Sequence, residues 1–119
     1  MSAVELRFDE IIMDCSEPGR LAVFWARALD YEIIDSDPDL ASIEDPTGRG
    51  PSICFQRVPE GKRSKNRVHF DLGVDEDRLD QAAAHLVALG AEKVDVGQGQ
   101  GRTWIVLADP EGNEFCLVP

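Results

Sequence analysis

Two stretches of the chain are near copies of one another: DPTGRGPSIC, from Asp45 to Cys54, and DPEGNEFC, from Asp109 to Cys116. Each sets an Asp-Pro-x-Gly turn just ahead of a short apolar run that holds a cysteine. The turns are offset by 64 positions (45 to 109), and ALDYE at 28–32 and ALGAE at 88–92 are offset by 60 (28 to 88). Self-similarity at a fixed period constrains a fold more than composition does, because each copy must build the same supersecondary unit. The extra residues of the second copy fall in GQGQG, Gly97 to Gly101, where glycines make an insertion cheap. The chain therefore reads as one domain, 1–119, made of a module 1–60 and a module 66–119 joined by a linker at 61–65.

Each copy parses in the same way. LRFDEIIMDC carries the alternation of a strand with one buried face. Ser16 then offers a helix N-cap and Pro18 a first-turn proline. PGRLAVFWARALDY follows, with Leu21, Phe24, Trp25, Ala28 and Leu29 at helical spacing and Trp25 expected in the core. YEIIDSD, LASIED and PSICFQRV are three short strands, the last two linked by the Asp-Pro-x-Gly turn, where proline presets φ and glycine accepts a positive one. In the second copy NRVHFDLGV is a strand and DRLDQAAAHLVALGA a helix ended by Gly90. EKVDVG, RTWIVLAD and NEFCLVP are the three strands after it. The expected class is α+β, with two βαβββ modules in tandem.

Composition excludes several functions. With 43% apolar and 29% charged residues the chain has the balance of a globular protein. A formal net charge of -11 speaks against binding a nucleic-acid backbone or an anionic membrane surface. No apolar run approaches the length of a membrane span. The opening MSAVELRFDE lacks a basic stretch followed by an apolar one, and three cysteines in separate apolar settings suit reduced thiols, so a cytoplasmic location is expected. No nucleotide-binding glycine fingerprint follows a strand and opens a helix.

Several residues carry candidate chemistry. His69 and Asp71 stand two apart on an expected strand, so both side chains share one face. A carboxylate beside an imidazole orients it and favours its charged form, which suits acid/base work near neutral pH. The alternative is a polar pair that only fixes strand register or faces solvent. Gln56 and Arg67 are candidate polar contacts, or edge-strand polar residues. Trp104 either lines a pocket wall or caps the core. Glu10, His69 and Cys116 form an N/O/S set of the kind zinc accepts, and a thiolate favours zinc over harder ions. The competing reading makes Cys54 and Cys116 small buried apolar side chains. His85 lies within the helical run AAAHLV and does not join that set. Lys62, Arg63, Lys65 and Arg67 are the basic cluster of the linker region, a solvated stretch or a surface for an acidic ligand or a partner subunit.

The order and spacing of DCSEPGRLAVFWARALDYE, RVHFDL and DPEGNEFCLV resemble the glyoxalase / bleomycin-resistance / dioxygenase (vicinal oxygen chelate) superfamily, and within it the glyoxalase-like domain branch. The resemblance covers nearly the whole chain. It implies a half-open, curved sheet of eight strands, often completed by dimerisation, with a cleft for a small molecule or a metal. It also implies that ligands come from the first and last strand of each module, here Glu10 and His69, and Cys116 with a position near Cys54. Cys116 stands where the metal enzymes usually carry a glutamate, and Glu10 where they often carry a histidine, a departure from the pattern behind glyoxalase I and extradiol dioxygenase activity.

The expectation is a homodimer that binds a small organic molecule in a cleft without a tightly held metal. His69, Asp71 and Glu10 are its candidate catalytic groups, and Gln56, Arg67 and Trp104 its candidate ligand contacts. Sequestration and metal-independent isomerase or lyase chemistry both fit that site. A divalent-metal lyase or dioxygenase, with zinc on Glu10, His69 and Cys116, is the alternative.

Overall fold

The computed structural model describes residues 4–94 and 103–119. The proposed glycine insertion at Gly97 to Gly101 lies outside the described residues. Contacts fall into two compact units, Met1–Val58 and Pro59–Pro119, and each is taken by itself below.

The first unit runs β1 (Glu10–Cys15), α1 (Pro18–Leu29), β2 (Glu32–Ser36), β3 (Leu40–Glu44) and β4 (Ser52–Arg57). Its sheet has the order β1-β4-β3-β2, with β1 parallel to β4 and the other pairs antiparallel. A parallel pair needs a crossover connection, and α1 with β2 and β3 supplies it. The helix forms because its apolar residues recur on one side: Leu21, Ala22, Phe24, Trp25 and Ala26 are buried and pack against β2, β3 and β4. Phe24 and Trp25 meet edge to face with ring centroids 5.2 Å apart. Pro18 occupies the first helical position, so the N-cap is Glu17 rather than the expected Ser16. The helix ends at Asp30 in the left-handed conformation, and the Tyr31 N–H closes onto the Ala26 carbonyl.

The second unit repeats the plan with β5 (Phe70–Gly73), a single 3-10 turn (Glu76–Arg78), α2 (Leu79–Leu89), β6 (Glu92–Lys93), β7 (Ile105–Ala108) and β8 (Glu114–Val118). Its order, β5-β8-β7-β6, is the same pattern, again with one parallel pair, β5 with β8. Ala83 and Leu86 are the buried residues of α2, and Phe115, Leu117 and Leu107 face them from the sheet as buried side chains. Gly90 ends the helix at φ 123°.

The two Asp-Pro-x-Gly turns are built alike. Gly48 (φ 73°) donates its N–H to the Asp45 carbonyl, and Gly112 (φ 88°) donates to the Asp109 carbonyl. In each turn the aspartate side chain caps the loop: Asp45 Oδ1 accepts from the Thr47 N–H at 2.8 Å, and Asp109 Oδ1 from the Glu111 N–H at 2.9 Å. Repetition in the sequence is thus repetition of one self-capped hairpin.

Three strands are shorter than their apolar patterns suggest. β1 starts at Glu10, four residues later than the run LRFDEIIMDC. β5 starts at Phe70, which leaves His69 just ahead of it, and β7 starts at Ile105, which leaves Trp104 just ahead of it. Alternation reports that one face of a segment is apolar; pairing needs a neighbouring strand as well.

Candidate functional site

Side chains on β5, β7 and β8 alternate between the α2 side and the opposite face. Phe70, Leu72, Leu107, Phe115 and Leu117 take the α2 side. The other face carries Asp71, Val106, Glu114, Cys116 and Val118. Register places these side by side, since Asp71 pairs with Cys116 across β5 and β8, and Val106 pairs with Cys116 across β7 and β8. His69 and Trp104, at the entrances of β5 and β7, fall on the same face. Together with Lys65 they line a cavity of about 330 Å³.

The charges in this cavity are mostly partnered. His69 Nε2 lies 3.1 Å from Asp71 Oδ1, so the imidazole donates from Nε2 and Nδ1 is left as an acceptor. Their side chains are 43% and 54% exposed, and a polar pair this wet contributes at most about 1 kcal/mol to stability. Burying one large apolar side chain such as Phe115 contributes about 1.5–3 kcal/mol. The second unit's stability therefore rests on the α2 side of the sheet rather than on the His69–Asp71 pair.

Glu114 is held more firmly. It accepts from the Asn66 backbone N–H at 2.9 Å and pairs with Lys62 at 3.1 Å. Burial raises its pKa, but the Asn66 N–H and the Lys62 ammonium outweigh that and hold it below the usual glutamate value. These contacts tie the stretch before β5 onto β8 and so place Lys65 at the cavity.

Cys116 moves the other way. Burial pushes its thiol pKa up, the Asp71 carboxylate adds to this, and Lys65 offsets part of it. It stays a thiol at neutral pH. Cys15 and Cys54 are buried at 5% and 4% exposure. Alkylation by iodoacetamide at pH 7.5 should accordingly be slow at all three cysteines, and Asp71→Asn should speed it at Cys116 alone, since the thiolate is the reactive form. An unchanged Cys116 rate in that variant, followed by peptide mass spectrometry, would contradict this electrostatic account.

Of the residues singled out in the sequence, His69, Asp71, Trp104 and Cys116 meet at this cavity. Arg67 is exposed and is not among its lining residues. Glu10 and Gln56 belong to the first unit, on β1 and β4, and both are exposed. Trp25 is buried in the first core at 1% exposure and His85 is exposed on α2. Sequence reasoning missed Lys65 and Glu114 as cavity residues. The clue to Lys65 was the basic run ahead of RVHFDL; Glu114 has no local clue, because its partners lie 48 and 52 positions away.

A profile of the glyoxalase-like domain matches residues 10–118. The chain belongs to the glyoxalase-like domain family. Solved structures of the glyoxalase/bleomycin-resistance/dioxygenase superfamily share its fold. A family enzyme from Burkholderia phytofirmans PsJN superposes with a TM-score of 0.70 at 16% identity, over 92% of this chain and 94% of that one. The fosfomycin resistance protein FosX from Listeria monocytogenes, complexed with Mn(II) and 1S,2S-dihydroxypropylphosphonic acid, gives 0.70 at 18% identity over 97% and 90%. A glyoxalase-related enzyme from Fulvimarina pelagi gives 0.68 at 14% over 93% and 86%. None of the curated protein sequences compared matches the chain. Identities this low establish a shared fold alone. Among the described residues no helix is long and apolar enough to cross a membrane.

The FosX neighbour carries Mn(II), so the clustered donor atoms of this glyoxalase-like domain bear on whether an ion could be held here. One ligand atom each from His69, Asp71 and Cys116 lies within 4.8 Å of the other two. At zinc bond lengths of about 2.0–2.3 Å, tetrahedral donors sit about 3.3–3.8 Å apart. The three groups therefore fit a zinc ion after closing by about 1 Å. This set takes Asp71 where the sequence reading had Glu10.

Proposed function

We propose that this glyoxalase-like domain binds a small organic molecule in the cavity of its second unit without a tightly held metal. The observation that carries the reading is the lining itself. An apolar wall of Trp104, Val106 and Val118 faces a small set of polar groups led by the His69–Asp71 pair, the usual make-up of a small-molecule site. Trp104 offers a flat face for the body of the ligand. Asp71 fixes the imidazole so that His69 Nδ1 is presented as a base, and the Cys116 thiol stands by as a proton-bearing neighbour. This is the apparatus of proton abstraction and return, as an isomerase or lyase uses it. The same pocket with no turnover sequesters its ligand.

A thermal-shift screen of apolar metabolites and natural products tests the binding, since a ligand selective for the native state raises the melting temperature. His69→Gln then separates the two uses. Turnover lost by about 10²–10⁴-fold with binding kept within a few-fold marks catalysis. Comparable affinity and no turnover in either protein marks sequestration. No stabilising ligand for the unmodified protein, or ligands bound equally well by a Trp104→Ala variant, would remove this cavity from consideration.

The clustered donor atoms favour a second reading, a zinc site on His69, Asp71 and Cys116. A bound zinc ion would act as a Lewis acid toward a ligand oxygen. Protein purified without chelator or affinity metal decides it: near-stoichiometric zinc, lost in Cys116→Ser, together with a cobalt–thiolate absorption band after cobalt loading, would put this reading first. Assembly is proposed as a homodimer, for which the exposed apolar arm discussed below is the support.

A further inference from the structure

The cavity holds four charged or chargeable side chains besides its thiol, and three of them are accounted for. His69 and Asp71 pair with each other. Glu114 is neutralised by Lys62 and by the Asn66 N–H. Lys65 is the fourth. Among the described residues it makes no ion pair and no hydrogen bond, although it lines the same cavity.

Lys65 is itself exposed, but the chain on either side of it is fastened. The stretch before β5 is fastened to β8 by two contacts from Glu114, one to Lys62 and one to the backbone of Asn66, on either side of Lys65. Anchoring both flanks orients the residue between them toward the sheet face. The chain is strongly acidic, yet four of its 12 basic residues, Lys62, Arg63, Lys65 and Arg67, fall within six positions here. A local positive field inside a negative surface guides an anion to one place.

We propose that the ligand of this cavity is a small organic acid, its carboxylate or phosphonate met by Lys65 and its apolar body laid against Trp104, Val106 and Val118. This rests on the small-molecule reading above and adds the chemical class. A single anionic group fits best, because the Asp71 and Glu114 carboxylates line the same cavity and would face a second negative charge.

Matched probes test it by isothermal titration: 3-phenylpropionate, 3-phenylpropylphosphonate and the neutral 3-phenylpropionamide. The two acids should bind at least about tenfold more tightly than the amide, and added salt should weaken the acids selectively. Lys65→Gln should abolish that preference while leaving amide affinity unchanged, and Lys65→Arg should retain it. The carboxylate and phosphonate arms show which acid geometry the ammonium prefers. An amide bound as tightly as the acids, or an acid preference that survives Lys65→Gln, overturns this inference and leaves the cavity reading intact. Failure of all three probes to bind counts against both.

Discussion

Replacing Asp109 by alanine should lower the unfolding free energy by about 2–4 kcal/mol, read as a fall in the urea midpoint at unchanged slope. Asp109 is 4% exposed. Its carboxylate accepts from the backbone N–H of Glu111 at 2.9 Å and of Asn113 at 3.0 Å, and Oδ2 accepts from the Asn113 side-chain amide at 2.9 Å. Hydrogen bonds to a charged group contribute about 1.5–3 kcal/mol each, and a half-buried donor stripped of its acceptor adds part of its own desolvation cost. Water reaching part of the opened turn offsets some of that, which keeps the sum below the total of the separate bonds. Asp109→Asn should fall between, because one oxygen remains as acceptor while the new amide N–H₂ points at donors. The matching change at Asp45 should cost less, since its turn is exposed. A loss under about 0.5 kcal/mol at Asp109 would show that the turn is held by its backbone alone.

Light scattering on the full chain at micromolar concentration should give twice the 13.1 kDa monomer mass, and Leu6→Asp with Phe8→Asp should return the monomer. Val4, Leu6 and Phe8 are 70%, 92% and 77% exposed and alternate with Glu5, Arg7 and Asp9. They lie ahead of β1, and among the described residues the 4–9 backbone has no hydrogen-bond partner. A segment that alternates apolar and charged residues, with no backbone partner among the described residues, has the pattern of a strand lacking a neighbour. Symmetric pairing with a second copy is the commonest way to cover such a surface. Each large apolar side chain buried contributes about 1.5–3 kcal/mol, and symmetry counts it twice. Two substitutions thus remove several kcal/mol from an association of about 8 kcal/mol at a micromolar dissociation constant. A monomer mass for the unchanged protein would refute the pairing.

The tandem βαβββ plan was legible because its signals are local. Proline and glycine at fixed offsets mark the hairpins, and Leu21, Phe24 and Trp25 at helical spacing mark the buried side of α1. The same locality explains the errors. Leu6 and Phe8 carry a strand pattern whether or not a strand lies beside them, so the pattern runs four residues ahead of β1. His69 and Asp71 were legible as a pair because strand geometry puts i and i+2 on one face. Glu114 was not, because what brings it to the cavity is a tether to Lys62 and Asn66, and nothing near position 114 announces a partner half a chain away. Lys65 was visible only as part of a charged run, a pattern shared by solvated linkers and by anion sites.

The duplicated register lets the halves be compared row by row. Asp71, Cys116 and Val106 form one row of the second sheet, and Ile12, Cys54 and Ser42 form the matching row of the first. The cysteine is common to both and its neighbours are not, an acid and an aliphatic side chain in one copy against an aliphatic side chain and a hydroxyl in the other. These rows face away from the helices, so their side chains have diverged while the packed faces kept one plan. A duplicated scaffold of this kind gives descent two canvases on a single frame: one copy can change its chemistry while the other preserves the architecture that both still share.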